Sequence, residues 1–127
     1  MMAQIPKPDP NKAVQYFQNK LDFTTGPIEV SHWLEEEAPI QIIDVRRKED
    51  YEKGHVPNAI NIPQEKWGNP EGLSKDKTNV LYCYSQTCHL AASAAVQFAR
   101  KGFSVIEMEG GFNIWQKVGL EVSALKI

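Results

Sequence analysis

The chain has 127 residues, of which 42% are hydrophobic and 24% charged, the balance of one globular domain with a single core; two domains and a disordered chain are both excluded. Fourteen Lys and Arg against sixteen Asp and Glu give a formal net charge of −2 with no block of like charge, so nucleic acid is not expected as a partner. No apolar run approaches the ~20 residues of a membrane span, and the opening MMAQIPKPDPNK has no apolar stretch of signal-peptide length, which predicts a cytoplasmic protein without a membrane partner.

In chain order, PDPNKAVQYFQNKL predicts a first helix with Asp9 as cap, Pro10 in the first turn and an apolar stripe of Val14, Phe17 and Leu21, expected to lie on the domain as an appendage. Gly26-Pro27 opens an amphipathic piece, residues 28–37, whose Val30, Trp33 and Leu34 can face a core before Pro39 ends it. IQIIDV, from Ile40, is apolar and β-branched enough for a strand covered on both faces. RRKEDYEKG predicts a charged helix stopping at Gly54, and AINIP a short strand closed by Pro63. Residues 64–79 read as loop with one helical turn.

NVLYCY is the third strand, running directly into SQTCHLAASAAVQFARKG, a helix in which Leu90, Ala91, Ala94, Ala95 and Phe98 recur on one small-residue face. FSVIEME is a further strand, and a last helix follows Gly110-Gly111. Strands alternating with helices predict an α/β domain with a mainly parallel sheet. The expected division is a helical extension over residues 1–25 and the α/β domain over residues 26–127.

Ligands of open parallel sheets gather beyond the carboxyl ends of the strands. Cys83 stands at such an end, and the loop Tyr84, Ser85, Gln86, Thr87, Cys88, His89 follows it. Loop N–H groups and a helix N-terminus are expected to point at its sulfur, favouring a thiolate and any anion beside it. The plainer alternative is a strand cysteine packed as a small hydrophobe. The two cysteines stand only five positions apart, too few for a disulfide scaffold and close enough to act as a pair. Cys83, Cys88 and His89 are ligand types, but without a paired CxxC or a fourth ligand no metal site is expected.

These residues resemble the rhodanese-like family. The similarity is carried by IIDVRRKEDYEKGHVPNAINIP, which looks like the family's Asp-Val-Arg strand end and its Gly-His-Ile-Pro-Gly-Ala-x-Asn-Ile-Pro stretch, by LYCYSQTCHLAASAA at the catalytic loop, and by GGFNIWQKVGLEV at the Gly-Gly-x-x-x-Trp ending. It covers about residues 28–122 in order. It implies the three-layer fold with helices flanking the sheet and makes Cys83 the sulfur-carrying cysteine, which becomes a persulfide and passes its sulfur to a thiol, cyanide or a protein, with no cofactor. The resemblance implies that Asp44 and Arg46 hold loops by charge-assisted hydrogen bonds and that His55 is structural.

The loop departs from the family. Sulfurtransferases of this kind commonly read Cys-Arg-Ser-Gly-x-Arg, whereas this chain reads Cys-Tyr-Ser-Gln-Thr-Cys, so both arginines and the glycine are gone and thiosulfate should bind poorly. Cys88 in the last loop position becomes a candidate resolving thiol. Two other readings stay open: a thiol redox protein or sensor using Cys83 and Cys88, and a rhodanese fold kept as a weakly catalytic binding module.

Overall fold

In a computed structural model, residues 2–125 are described, and α-helices and parallel strands alternate along them. Residues 1, 126 and 127, at the outer ends of the two expected units, lie outside the described residues. The strands are β1 (Thr24–Thr25), β2 (Ile40–Asp44), β3 (Ile60–Asn61), β4 (Thr78–Tyr82) and β5 (Val105–Met108). The helices are α1 (Pro10–Phe23), α2 (Pro27–Glu35), α3 (Lys48–Lys53), α4 (Leu90–Arg100) and α5 (Gly111–Lys117), with a single 3-10 turn at Gln64–Lys66. The sheet order is β1-β5-β4-β2-β3, every pairing parallel, so the carboxyl ends of the central β4 and its neighbours β2 and β5 lie at one edge.

Alternation along the strands sorts the core into two layers. Ile42, Val80 and Tyr82 face Val30 of α2 and Phe112 and Trp115 of α5. Ile43, Leu81 and Cys83 face the other way, against Ala91, Ala94 and Phe98 of α4. The alanines of α4 let this helix approach the sheet closely, and Phe98 fills the space beyond them; each large side chain fully buried here contributes about 1.5–3 kcal/mol. Trp115 is 1% exposed and satisfies its indole N–H on the Glu121 carbonyl at 2.7 Å. Buried Asn79 closes β4 onto its flanks, its carboxamide accepting from Ser74 N–H at 2.9 Å and donating to the Ser74 and Ser104 carbonyls at 2.9 and 3.1 Å.

Helix α1 differs from expectation. Asp9 caps it, accepting from Asn11 N–H at 3.4 Å, and proline occupies the first turn. The apolar stripe, however, is not laid on the domain: Val14, Phe17 and Leu21 are 69%, 58% and 75% exposed. The helix is instead fixed at its carboxyl end, where Lys20 pairs with Glu109 at 2.8 Å and the chain continues straight into β1. Residues 24 and 25, expected in the extension, therefore form the edge strand beside β5. The loop expected after Cys83 runs to His89, so the helical run SQTCHLAASAAVQFARKG starts only at Leu90, without a side-chain cap.

Candidate active site

Cys83 is the first residue after β4, and its side chain points into the apolar layer under α4, leaving 2% of the residue exposed. The loop then curls back, with Cys88 N–H donating to the Ser85 carbonyl at 3.2 Å, and this returns Cys88 to the sulfur it started from. The Cys83 thiol donates to the Cys88 carbonyl at 3.5 Å. Cys88 itself is half-buried, and both cysteines are free.

Two thiols held in one half-dry loop do not ionise independently. Burial pushes the Cys83 thiol up to about 11 from an ordinary 9.0, and Cys88 adds to that, while the N–H groups of Ala91 and Tyr84 pull it down without prevailing. Cys88 moves the other way. Burial raises it too, but the bond from the Cys83 thiol and the N–H groups of Leu90 and Tyr84 together hold it below its ordinary value. The backbone N–H groups and helix end foreseen for Cys83 are present, yet in the resting pair their benefit falls to Cys88, because Cys83 is the deeper thiol and acts as donor.

The far side of the loop is clamped by α5. Phe112 N–H donates to the Cys83 carbonyl and Asn113 N–H to the Tyr84 carbonyl, both at 2.9 Å. That approach requires glycine at 111, where φ is +60° and a Cβ would fall 2.7 Å from the Cys83 oxygen. Tyr84 turns away from the sulfur: its hydroxyl accepts from Arg47 N–H at 3.2 Å and donates to Asp50 at 2.5 Å. Ser85 Oγ lies 3.4 Å from Thr87 Oγ1, and exposed Gln86 reaches Glu109 at 3.3 Å. His89 is exposed and faces Glu107, whose carboxyl is raised by burial and by Glu109. A cleft of about 370 Å³ opens beside the loop, lined by Arg46, Asp50, Lys53, Tyr84, Phe112 and Asn113 and not by the sulfur.

Asp44 and Arg46 do not reach Cys83. Alternation places them on the opposite face of the sheet, where the carboxylate accepts from Arg46 Nη2 at 2.8 Å and from the Tyr82 hydroxyl at 2.6 Å. Arg46 also donates to the Gly54 carbonyl at 2.6 Å and stacks 4.2 Å from the Phe112 ring centroid. The network joins β2, β4, α3 and α5, and it raises the Arg46 pKa despite the opposing cost of burial. His55 Nδ1–H donates to the Tyr51 carbonyl at 2.7 Å, and the ring stacks on the Tyr51 ring at 3.8 Å, also away from the sulfur. Among the described residues no group of three or more His, Cys, Asp or Glu side chains is placed to hold a metal ion, and no helix is long and apolar enough to cross a membrane.

The roles of Tyr82, Gly111 and Glu107 at the site emerge only from the structure. Tyr82 and Gly111 carry signals in alternation and in the glycine pair; Glu107 shows none, since its nearness to Cys88 depends on strand order.

A family model described as rhodanese-like domain matches residues 27–118. The chain belongs to the rhodanese-like domain family. It is 32% identical over 94 residues to the thiosulfate sulfurtransferase GlpE of Coxiella burnetii, a match spanning 69% of this chain and 86% of that protein. It is 36% identical over 98 residues, 74% of its own length, to MoeZ of Mycobacterium tuberculosis, named as a probable adenylyltransferase/sulfurtransferase. There the domain spans only 24% of the relative's length. Among solved structures, the BH2092 protein of Bacillus halodurans superposes with a TM-score of 0.82 at 35% identity, covering 91% of this chain and 87% of that one. The parallel sheet between helices is the family's fold, and these relatives are named as sulfurtransferases.

Proposed function

We propose that this rhodanese-like domain is a sulfurtransferase that carries a sulfane sulfur as a persulfide on Cys83 and passes it to a thiol, cyanide or protein acceptor. The observation that carries the reading is the seat of Cys83: the end of the central strand, its sulfur within reach of the N–H groups of Tyr84 and Ala91. In the first step the Cys83 thiolate attacks the donor's sulfane sulfur, forming a persulfide as the rest of the donor leaves with the bonding pair. In the second, an acceptor nucleophile takes the outer sulfur, and the pair of the broken bond returns to Cys83.

The resting thiol at about 11 is ionised to only about one part in 10⁴ at pH 7, so the first step draws on a small thiolate fraction. The loop side chains from Tyr84 to His89 include no Lys or Arg, and Glu107 and Glu109 border them. A dianionic donor such as thiosulfate meets no fixed cation here, so a low-molecular-weight persulfide is the better donor.

The test is thiocyanate formation from cyanide with each donor, corrected for the uncatalysed rate. Wild type is expected to form thiocyanate faster with the persulfide than with thiosulfate, and Cys83→Ser to form none. Equal rates from wild type and Cys83→Ser defeat the reading.

A further inference from the structure

The loop folds a second cysteine back onto Cys83 where sulfur transfer uses one. Cys83 lies at the bottom, 2% exposed, and Cys88 is the half-buried residue packed against the same apolar cluster, its carbonyl 3.5 Å from the Cys83 sulfur. Any external acceptor has to approach past this loop, whereas Cys88 is already held beside Cys83, and a nucleophile held next to its target acts at an effective concentration no free thiol reaches.

We propose that Cys88 is a resolving thiol, attacking the inner sulfur of a persulfide on Cys83 to close a Cys83–Cys88 disulfide and expel the outer sulfur as hydrogen sulfide. The inference rests on the sulfur-carrier reading of Cys83. The bond between the two persulfide sulfurs breaks and its electron pair leaves on the outer sulfur. Cys88 supplies the pair for the new bond, and the persulfide proton and the Cys88 proton depart with the sulfide. The Cys88 sulfur is oxidised and the leaving sulfur reduced, so no outside oxidant is needed. An external dithiol then reopens the disulfide by thiol–disulfide exchange and is itself oxidised to a disulfide.

Other features of the site agree. Cys88 is the more acidic thiol of the pair, the property an attacking sulfur needs. The groups facing it are the Cys83 thiol, the N–H groups of Leu90 and Tyr84, and Glu107, of which Glu107 alone opposes its ionisation by charge. The turn between Ser85 and Cys88 and the clamp from Phe112 and Asn113 hold the two ends of the loop on each other before any sulfur arrives.

The experiment loads reduced protein with a low-molecular-weight persulfide, removes the donor rapidly, and follows intact mass and released sulfide with no thiol present. Wild type is expected to lose the added sulfur, release one equivalent of sulfide and end two hydrogens lighter than the reduced chain, with Cys83 and Cys88 joined in the peptide map. Cys88→Ser should keep the added sulfur on Cys83 until a thiol is supplied. If wild type retains the sulfur as long as Cys88→Ser does, or shows it moved intact onto Cys88, the resolving role is overturned while the carrier reading stands. If neither wild type nor Cys88→Ser takes sulfur from the donor, as added mass or as released sulfide, the carrier reading falls and this inference with it.

Discussion

Gly111 is where α5 touches the loop that follows β4, and Gly111→Ala measures how firmly the backbone of Cys83 is held. Its φ of +60° is in the left-handed region, where a Cβ costs about 1–2 kcal/mol. The added Cβ would lie 2.7 Å from the Cys83 carbonyl oxygen and 2.8 Å from both the Ser85 nitrogen and the Tyr84 carbonyl carbon. All three are backbone atoms, so no side chain can swing aside and the loop must retreat. The two bonds that α5 donates to the Cys83 and Tyr84 carbonyls stretch as it does, and each is worth about 0.5–1.5 kcal/mol. Added together, the loss is about 2–5 kcal/mol. Urea titration reads it, with Gly26→Ala as the control, because Gly26 has an extended φ of −131° and nothing within 4 Å of its missing Cβ. The displaced loop should also uncover the sulfur, so alkylation of Cys83 speeds up. A variant within about 0.5 kcal/mol of wild type, alkylated at the wild-type rate, would refute the reasoning.

Asp44→Ala leaves Arg46 buried with its charge unmatched and should cost about 3–5 kcal/mol in a urea titration, while the pH dependence of Cys83 alkylation in the folded protein stays where it was; a moved profile would give Asp44 a part in the chemistry. Cys88→Ala removes the neighbour whose hydrogen bond and charge raise Cys83 and also opens the site to water, so the Cys83 pKa should fall below about 11 in an alkylation-rate profile; a rise contradicts the assigned pairing. Glu107→Gln removes a negative charge that disfavours the Cys88 thiolate, so the Cys88 pKa should drop further and its alkylation at neutral pH accelerate, an outcome read by peptide mass mapping. Tyr84→Phe loses the bonds to Arg47 N–H and Asp50 that pin the loop's first residue; its effect should appear as faster proteolysis or amide exchange at residues 84–88 more than as a change in global stability.

Much of the fold was legible because the strands are short apolar runs bounded by turn residues. IQIIDV and NVLYCY became β2 and β4, and the small-residue face of LAASAAVQFAR became α4 under the sheet. The misreadings have physical causes. Periodicity cannot tell a loop from the first turns of a helix when SQTCH carries no strong cap or breaker, so α4 was begun five residues early. An apolar stripe reports that a helix has one face unlike the others, not that this face meets its own domain, and in α1 the stripe of Val14, Phe17 and Leu21 stays exposed.

The thiol pair shows where sequence reading stopped. Alternation alone assigns Asp44, Arg46 and Tyr82 to one face of the sheet and Cys83 to the other, so the one buried ion pair among the described residues serves to hold β2, β4 and α5 together and cannot charge the sulfur. With both loop arginines replaced, the remaining means of stabilising negative sulfur are backbone N–H groups and a second sulfur. Both exist at the site, but the order in which they act is set by depth: Cys83 is the more buried thiol, keeps its proton and donates it, and Cys88 gains the acidity expected of Cys83. Residue types and spacing identified the pair; which member carries the charge depends on how a turn between Ser85 and Cys88 folds one sulfur over the other.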